Sequence, residues 1–211
     1  MNRDDRSSSE PRSKRYSTAN TALASNNRPE PGHLLEASFF ARPAPVVARE
    51  LLGKNLLRRT QDRTEAFTIT ETEAYEGSGD LASHASKGRT ARSTVMFGPP
   101  GHFYVYLIYG LHHMLNVVTQ IEGVPSAVLI RGLSQLPGPG RLTRALAITK
   151  ALNAQPALEA SGLWFEDRGL IVADSQVLIT PRIGVDYAGP HWAAMPWRFV
   201  LAKPYLEKTQ R

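Results

Sequence analysis

The chain has no cysteine. Disulfides, iron–sulfur clusters, thiolate zinc sites and cysteine nucleophiles are therefore excluded together, and the composition fits a reducing compartment. No apolar run is long enough to span a bilayer, and the residues after Met1 lack a hydrophobic signal region. No membrane partner is expected, and a cytoplasmic or nucleoid-associated protein is. An acidic excess is missing too. Lys and Arg number 25 against 19 Asp and Glu, giving a net charge of +6 and a pI near 9.8, and this balance favours a polyanionic partner. Large apolar residues are scarce from Met1 to Gly32, where six Lys or Arg stand against four Asp or Glu. Such a segment cannot bury enough surface to offset its ordering entropy. Residues 1–32 are expected to form a disordered, basic, Ser/Arg-rich tail, and 33–211 a single domain. A transit peptide is the competing reading, against which Asp4, Asp5, Glu10 and Glu30 count.

The remainder, in a chain of 211 residues with 42% hydrophobic and 21% charged content, reads as a globular α/β (α+β) domain. Pro45 to Leu52 predicts a short helix stopped by Gly53, and Arg141 to Leu152 has helical spacing. Strands are expected at Lys54 to Arg59, Glu65 to Tyr75, Phe103 to Tyr109, Leu111 to Thr119 and Ser126 to Leu133. Shorter ones are expected at Leu170 to Ala173, Val177 to Thr180 and Arg198 to Leu201. With no internal repeat and no parallel βαβ rhythm, these segments fit a curved, mostly antiparallel sheet with flanking helices and a protruding hairpin.

The segment from Thr70 to Leu81, followed by His84, is the most informative. A strand ending at Tyr75, with Gly77 and Gly79 turning the chain out, puts Phe67, Ile69, Glu71, Glu73 and Tyr75 on one face. A carboxylate beside an aromatic ring suits a nucleobase stacked on the ring. The plainer alternative is an edge strand whose glutamates face water. In the hairpin, Phe103, Val105 and Leu107 alternate with Tyr104 and Tyr106, and Tyr109 sits beside Gly110 at the turn. An exposed ring there can wedge into a DNA stack, or it can fold back on the sheet. Between the two lies Ala85 to Thr94, where Lys87, Arg89 and Arg92 alternate with Gly, Ser and Thr, all able to donate hydrogen bonds to phosphate. A solvated loop has the same composition.

Several motifs in register resemble one family: Thr72-Glu73-Ala74-Tyr75, His84, Met96 to Gly101, Tyr104 to Gly110, and Met114 to Val118. The likeness continues through Val128 to Gly132, Gly138 to Leu142, Pro181 to Val185, and Trp192 to Phe199. Together they are similar to the alkyladenine (3-methyladenine) DNA glycosylases over residues 34–205. The resemblance implies a monofunctional glycosylase of base excision repair, acting without a cofactor as a monomer on double-stranded DNA containing damaged purines. It implies that Glu73 activates a water, with Arg131 and the Ile183 carbonyl holding it. It further implies that Tyr75, His84 and Tyr106 sandwich the flipped base, and that Asn116 excludes a guanine-type exocyclic amine. Tyr109 would fill the vacated stack, while Arg89 and Arg92 lie near the DNA backbone. Two departures, Ala91 in place of a proline and Ala202 to Tyr205 in place of a Gly/Ser turn, touch loops rather than the pocket.

Breaking an N-glycosidic bond builds positive charge on the sugar, which a carboxylate can stabilise while it activates water. Glu71, two residues from Glu73, reads as structural, because a cationic leaving base needs no proton. Two rivals remain. Leu136 to Thr143 resembles the hairpin of a helix-hairpin-helix lyase, but a β-rich run rather than a helix precedes it. A nucleic-acid-binding module without activity is the other. Metal chemistry is not expected, since His102, His112 and His113 lack ligand spacing.

Overall fold

The computed structural model describes residues 32–61 and 63–202. The expected tail, apart from Gly32, lies outside the described residues, as do Asp62 of the turn at 61–63 and Lys203 to Tyr205. In chain order the elements are β1 (His33–Leu34), α1 (Ala37–Phe40), α2 (Ala44–Leu51), β2 (Asn55–Arg59), β3 (Thr64–Glu76), β4 (Phe103–Ile108) and β5 (His112–Val118). There follow β6 (Ser126–Leu133), β7 (Leu136–Pro137), α3 (Pro139–Ala145), β8 (Leu163–Asp167), β9 (Val177–Thr180), α4 (Gly189–Ala193) and β10 (Arg198–Leu201). The sheet runs β1-β8-β2-β3-β6-β5-β4, with β10 joining β3 to β9 and β7 pairing β6. Every pairing is antiparallel.

Helix α2 shows how sequence pattern becomes packing. Ala44, Val47, Ala48 and Leu51 follow helical spacing and are all buried against one face of the sheet, with Ile69, Ala74 and Ile130 in the same cluster. Fully burying a side chain such as Leu51 contributes about 1.5–3 kcal/mol. The Glu76 carboxylate accepts the Ala44 N–H, one of the donors a helix start leaves unpaired. The end of β3 is thereby tied to the start of α2.

The expected face of β3 needs correction. Ile69 lies in the core cluster with Phe67 packed against it, whereas Glu71, Glu73 and Tyr75 turn to the opposite face. A bulge explains the switch. Ile69 pairs Leu133 and Glu71 pairs Gly132, so Thr70 is an extra residue in the ladder. Gly132 makes room for it, since a Cβ there would lie 3.1 Å from both the Glu71 Cβ and the Thr70 Oγ1. Beyond the bulge Thr72 and Ala74 face the core, and the Thr72 hydroxyl donates to the Ala48 carbonyl of α2 at 2.8 Å.

Two further expectations are corrected. The helix expected over 141–152 begins at Pro139 and ends at Ala145, because Ala147 takes a left-handed φ of +48° and a short 3-10 turn follows at Lys150–Leu152. That break lets Leu146, Ile148 and Leu152 all reach the core, which one straight helix would not. No strand forms at Leu170 to Ala173, where Ile171 is exposed. Strands β1, β7 and β8 were not expected; β1 and β7 are two residues each, and in β8 Leu163 to Glu166 are all buried and so lack the alternation by which a half-buried strand is read.

Candidate functional site

The face of the sheet opposite α2 floors a cleft of about 570 Å³. Alternation along each strand supplies the floor: Tyr75 from β3, Leu129 and Arg131 from β6, Asn116 from β5, and Tyr104 and Tyr106 from β4. His84, Lys87 and Arg92 form one wall, and Ile183 to Tyr187 another.

Glu73 is fully buried directly behind this floor. Its Oε1 accepts the Ile183 N–H at 2.8 Å, and its Oε2 accepts the Tyr75 hydroxyl at 3.0 Å and Arg131 at 3.4 Å. Burial pushes its carboxyl above the usual carboxylate range, and the lowering effects of Arg131, the Ile183 amide and Tyr75 do not cancel it. Arg131 also donates to Glu71 Oε1 at 2.9 Å, and Arg198 reaches the same oxygen at 2.7 Å. Glu71 is thus bound between two guanidinium groups, as expected of a structural carboxylate. At Ile183 the backbone group engaged with Glu73 is the amide.

His84 and Tyr106 meet edge to face with centroids 4.7 Å apart, and His84 Nδ1 lies 2.9 Å from the Tyr104 hydroxyl. Burial, with Arg92 and Lys87 nearby, lowers the imidazole to about 4, so it is neutral at pH 7. Burial pushes the Tyr104 hydroxyl up to about 12. The Asn116 Nδ2 donates to the Tyr104 and Met114 carbonyls at 3.0 and 3.4 Å, which fixes the amide in the floor.

Tyr109 does not fold back on the sheet, being 86% exposed at the hairpin tip. Tyr109 and Gly110 take φ of +51° and +68°, and the Leu111 N–H closes the turn on the Ile108 carbonyl at 3.1 Å. This is the primed turn that matches strand twist, and it holds a non-glycine residue in the left-handed region.

The loop cations separate. Lys87 and Arg92 line the cleft, while Arg89 lies outside that lining with its guanidinium 4.8 Å from the Phe97 ring centroid. Three of the loop hydroxyls, those of Ser86, Thr90 and Ser93, are not free donors, contrary to expectation. Ser86 donates to the Ser83 carbonyl, and Ser93 to the Gly88 carbonyl, each at 2.8 Å. Thr90 Oγ1 lies 2.9 Å from Ser93 Oγ, so these groups shape the loop and leave the cations exposed.

Sequence reasoning missed Tyr104, Asp80, Arg182 and Tyr187. Tyr104 shares strand parity with Tyr106 and could have been read from it. Tyr187 is 72% exposed on the cleft wall, with its hydroxyl donating to the Ala82 carbonyl at 2.9 Å. Asp80 and Arg182 form a fully buried pair, with Arg182 Nη2 donating to Asp80 Oδ1 at 2.9 Å and Nη1 to Asp80 Oδ2 at 2.5 Å. The guanidinium lies 4.8 Å from the Tyr75 ring and 5.0 Å from the Trp197 ring, stiffening the wall behind the cleft.

The chain that builds this sheet and cleft matches one family model, described as Methylpurine-DNA glycosylase, over residues 38–137 and 133–204. The chain belongs to that family and is a hydrolase acting on N-glycosyl bonds. Among its relatives, a Methanocella arvoryzae protein is 46% identical over 79% of this chain and 91% of its own length. One from Myxococcus xanthus is 49% identical over 78% and 88%, and one from Legionella pneumophila strain Lens 44% over 83% and 98%. All three carry the name "Putative 3-methyladenine DNA glycosylase". No helix among the described residues is long and apolar enough to cross a membrane.

Proposed function

We propose that the protein is a monofunctional glycosylase of base excision repair. It flips an alkylated or deaminated purine out of duplex DNA and hydrolyses its N-glycosidic bond with a water activated by Glu73, leaving an abasic site. The observation that carries this is the enclosed Glu73 carboxylate, held by Arg131, Tyr75 and the Ile183 amide, three residues that themselves line the aromatic cleft in front of it. A carboxylate offers about four lone-pair sites. Three donors engage Glu73, so one acceptor position is left for a water. The raised pKa makes this carboxylate a stronger base than an exposed one, and its charge faces the sugar as positive charge develops there.

The cleft is of a size that takes one base. With one face of Tyr75 covered by Arg182, the other is available for stacking. His84 and Tyr106, meeting edge to face, make the opposing wall, while Asn116 limits what fits at the floor. Stacking at about 1–3 kcal/mol per base offsets the cost of flipping. Lys87, Arg89 and Arg92 supply phosphate contacts, Tyr109 fills the vacated stack, and the protein acts as a monomer. Residues 33–211 carry the reaction, and residues 1–32 serve as an accessory tail.

The test is single-turnover base release from duplex oligonucleotides bearing 3-methyladenine, 7-methylguanine, hypoxanthine or ethenoadenine. Strand breaks should appear only after alkali. A borohydride-trapped adduct would instead mark a lyase, and no release from any lesion a binding module.

The pH dependence follows from Glu73. Its carboxyl must be ionised to accept a proton, and its pKa is raised, so protonation disables it before the pH falls to the ordinary 4.5. The excision rate should drop about tenfold per pH unit along an acid limb above that value. His84, neutral down to about 4, adds no step near pH 6.5. A flat profile down to pH 4.5 would contradict the assigned base.

Tyr109 should show a trade-off between stability and binding. Tyr109→Gly relieves the left-handed backbone by about 1 kcal/mol and should raise the melting temperature. Tyr109→Gly and Tyr109→Ser should both weaken lesion-DNA binding by about tenfold, since the vacated stack is left unfilled. Unchanged affinity in a fluorescence titration would remove the wedge role.

A further inference from the structure

We propose that Arg92 holds the place of the base: its guanidinium occupies the stacking seat on Tyr106 in the free protein, and a purine enters only when a DNA phosphate draws that group away. Arg92 would thereby discriminate purines presented on DNA from free purines. The inference rests on the functional reading above.

Its Cζ stands over the Tyr106 ring, 4.7 Å from the centroid, the separation at which a cation gains from the ring's negative face. The residue is exposed and lines the cleft, so the seat lies within the open space rather than behind it. No carboxylate pairs with Arg92 among the described residues, although the other guanidinium groups of the site, those of Arg131, Arg182 and Arg198, are each paired with an acid. Its charge is felt on both walls: it adds to the burial that lowers His84 on one side and opposes the burial that raises Tyr187 on the other. An unpaired cation seated on a ring is held by a weak contact. A phosphate, offering charge-assisted hydrogen bonds, competes for it readily, whereas a free purine offers only neutral acceptors, which attract a guanidinium more weakly than charged oxygens do. The same seat would be retaken after base release, favouring departure of the free base.

The experiment is calorimetric titration of free hypoxanthine into the wild-type chain, Arg92→Ala and Arg92→Lys, alongside binding of lesion duplex. Arg92→Ala should bind free hypoxanthine about tenfold more tightly, because the competing cation–π contact is gone, yet bind lesion duplex more weakly. Arg92→Lys, which keeps the charge but not the planar stack, should fall between. A merely structural role predicts weaker binding of both ligands. Unchanged or weaker free-base binding in Arg92→Ala, or no binding by either protein, overturns the proposal. Base release from lesion duplex by the wild-type chain reports separately on the functional reading.

Discussion

Glu73→Gln should lower single-turnover excision by at least about a hundredfold while lesion duplex still binds. Glutamine keeps the shape, and its one oxygen can still accept the Ile183 N–H while its NH2, in the place of Oε2, donates to the Tyr75 hydroxyl oxygen, but it cannot take a proton from water. Loss of a positioned general base costs about 10²–10⁴-fold. The fold should tolerate the change, because Arg131 keeps its contact with Glu71 at 2.9 Å. The thermal midpoint should hold or rise: a carboxyl whose pKa is raised by burial is one the fold prefers neutral. Glu71→Gln should reduce the rate much less, since that carboxylate is bound by Arg131 and Arg198. Wild-type excision of hypoxanthine or ethenoadenine by Glu73→Gln would overturn the mechanism.

The largest effect on stability should come from Asp80→Ala. It leaves the Arg182 guanidinium fully buried with only the Ala74 and Trp192 carbonyls as partners, at 2.9 and 3.2 Å. Breaking one side of a buried pair costs about 3–5 kcal/mol, much of the about 5–15 kcal/mol by which a domain is stable. The Ala82 N–H also loses its acceptor, which lies at 3.0 Å. Urea denaturation should show a midpoint far below wild type, and Asp80→Asn, which keeps an acceptor oxygen, should lose less. A midpoint equal to wild type would show that the pair is not structural.

What the sequence made legible was local. Strands β6, β9 and β10 occur within the bounds expected for their short apolar and β-branched runs, and α2 is displaced by one residue. Family membership rested on motifs in register, each a short continuous stretch, and the match over 38–137 and 133–204 bears it out. The unread parts depend on distance along the chain. Asp80 and Arg182 stand 102 residues apart and Glu71 and Arg198 127 apart, so no window of neighbouring residues contains both members. The bulge at Thr70 was invisible for another reason. Period-two counting assumes an uninterrupted ladder, and a single extra residue exchanges the faces of everything beyond it. The sharing of one surface by Glu73 and Tyr75 survived that error because both lie on the same side of the bulge.

The pairing of β10 with β3 has a consequence in time. Arg198, Phe199 and Val200 stand opposite Glu73, Thr72 and Glu71, and the Ile183 amide that fixes Glu73 lies 110 residues downstream of it. During synthesis the strand bearing Glu73 emerges early and waits for its neighbours while most of the remaining chain is made. Contacts so remote in sequence form slowly, since a long loop must close before any of them can contribute. The hairpin of β4 and β5, closed by adjacent residues, can form as soon as it leaves the ribosome. The hairpin that carries Tyr106 and Tyr109 can therefore close locally, whereas the carboxylate cage is complete only when Ile183 and β10 have been added.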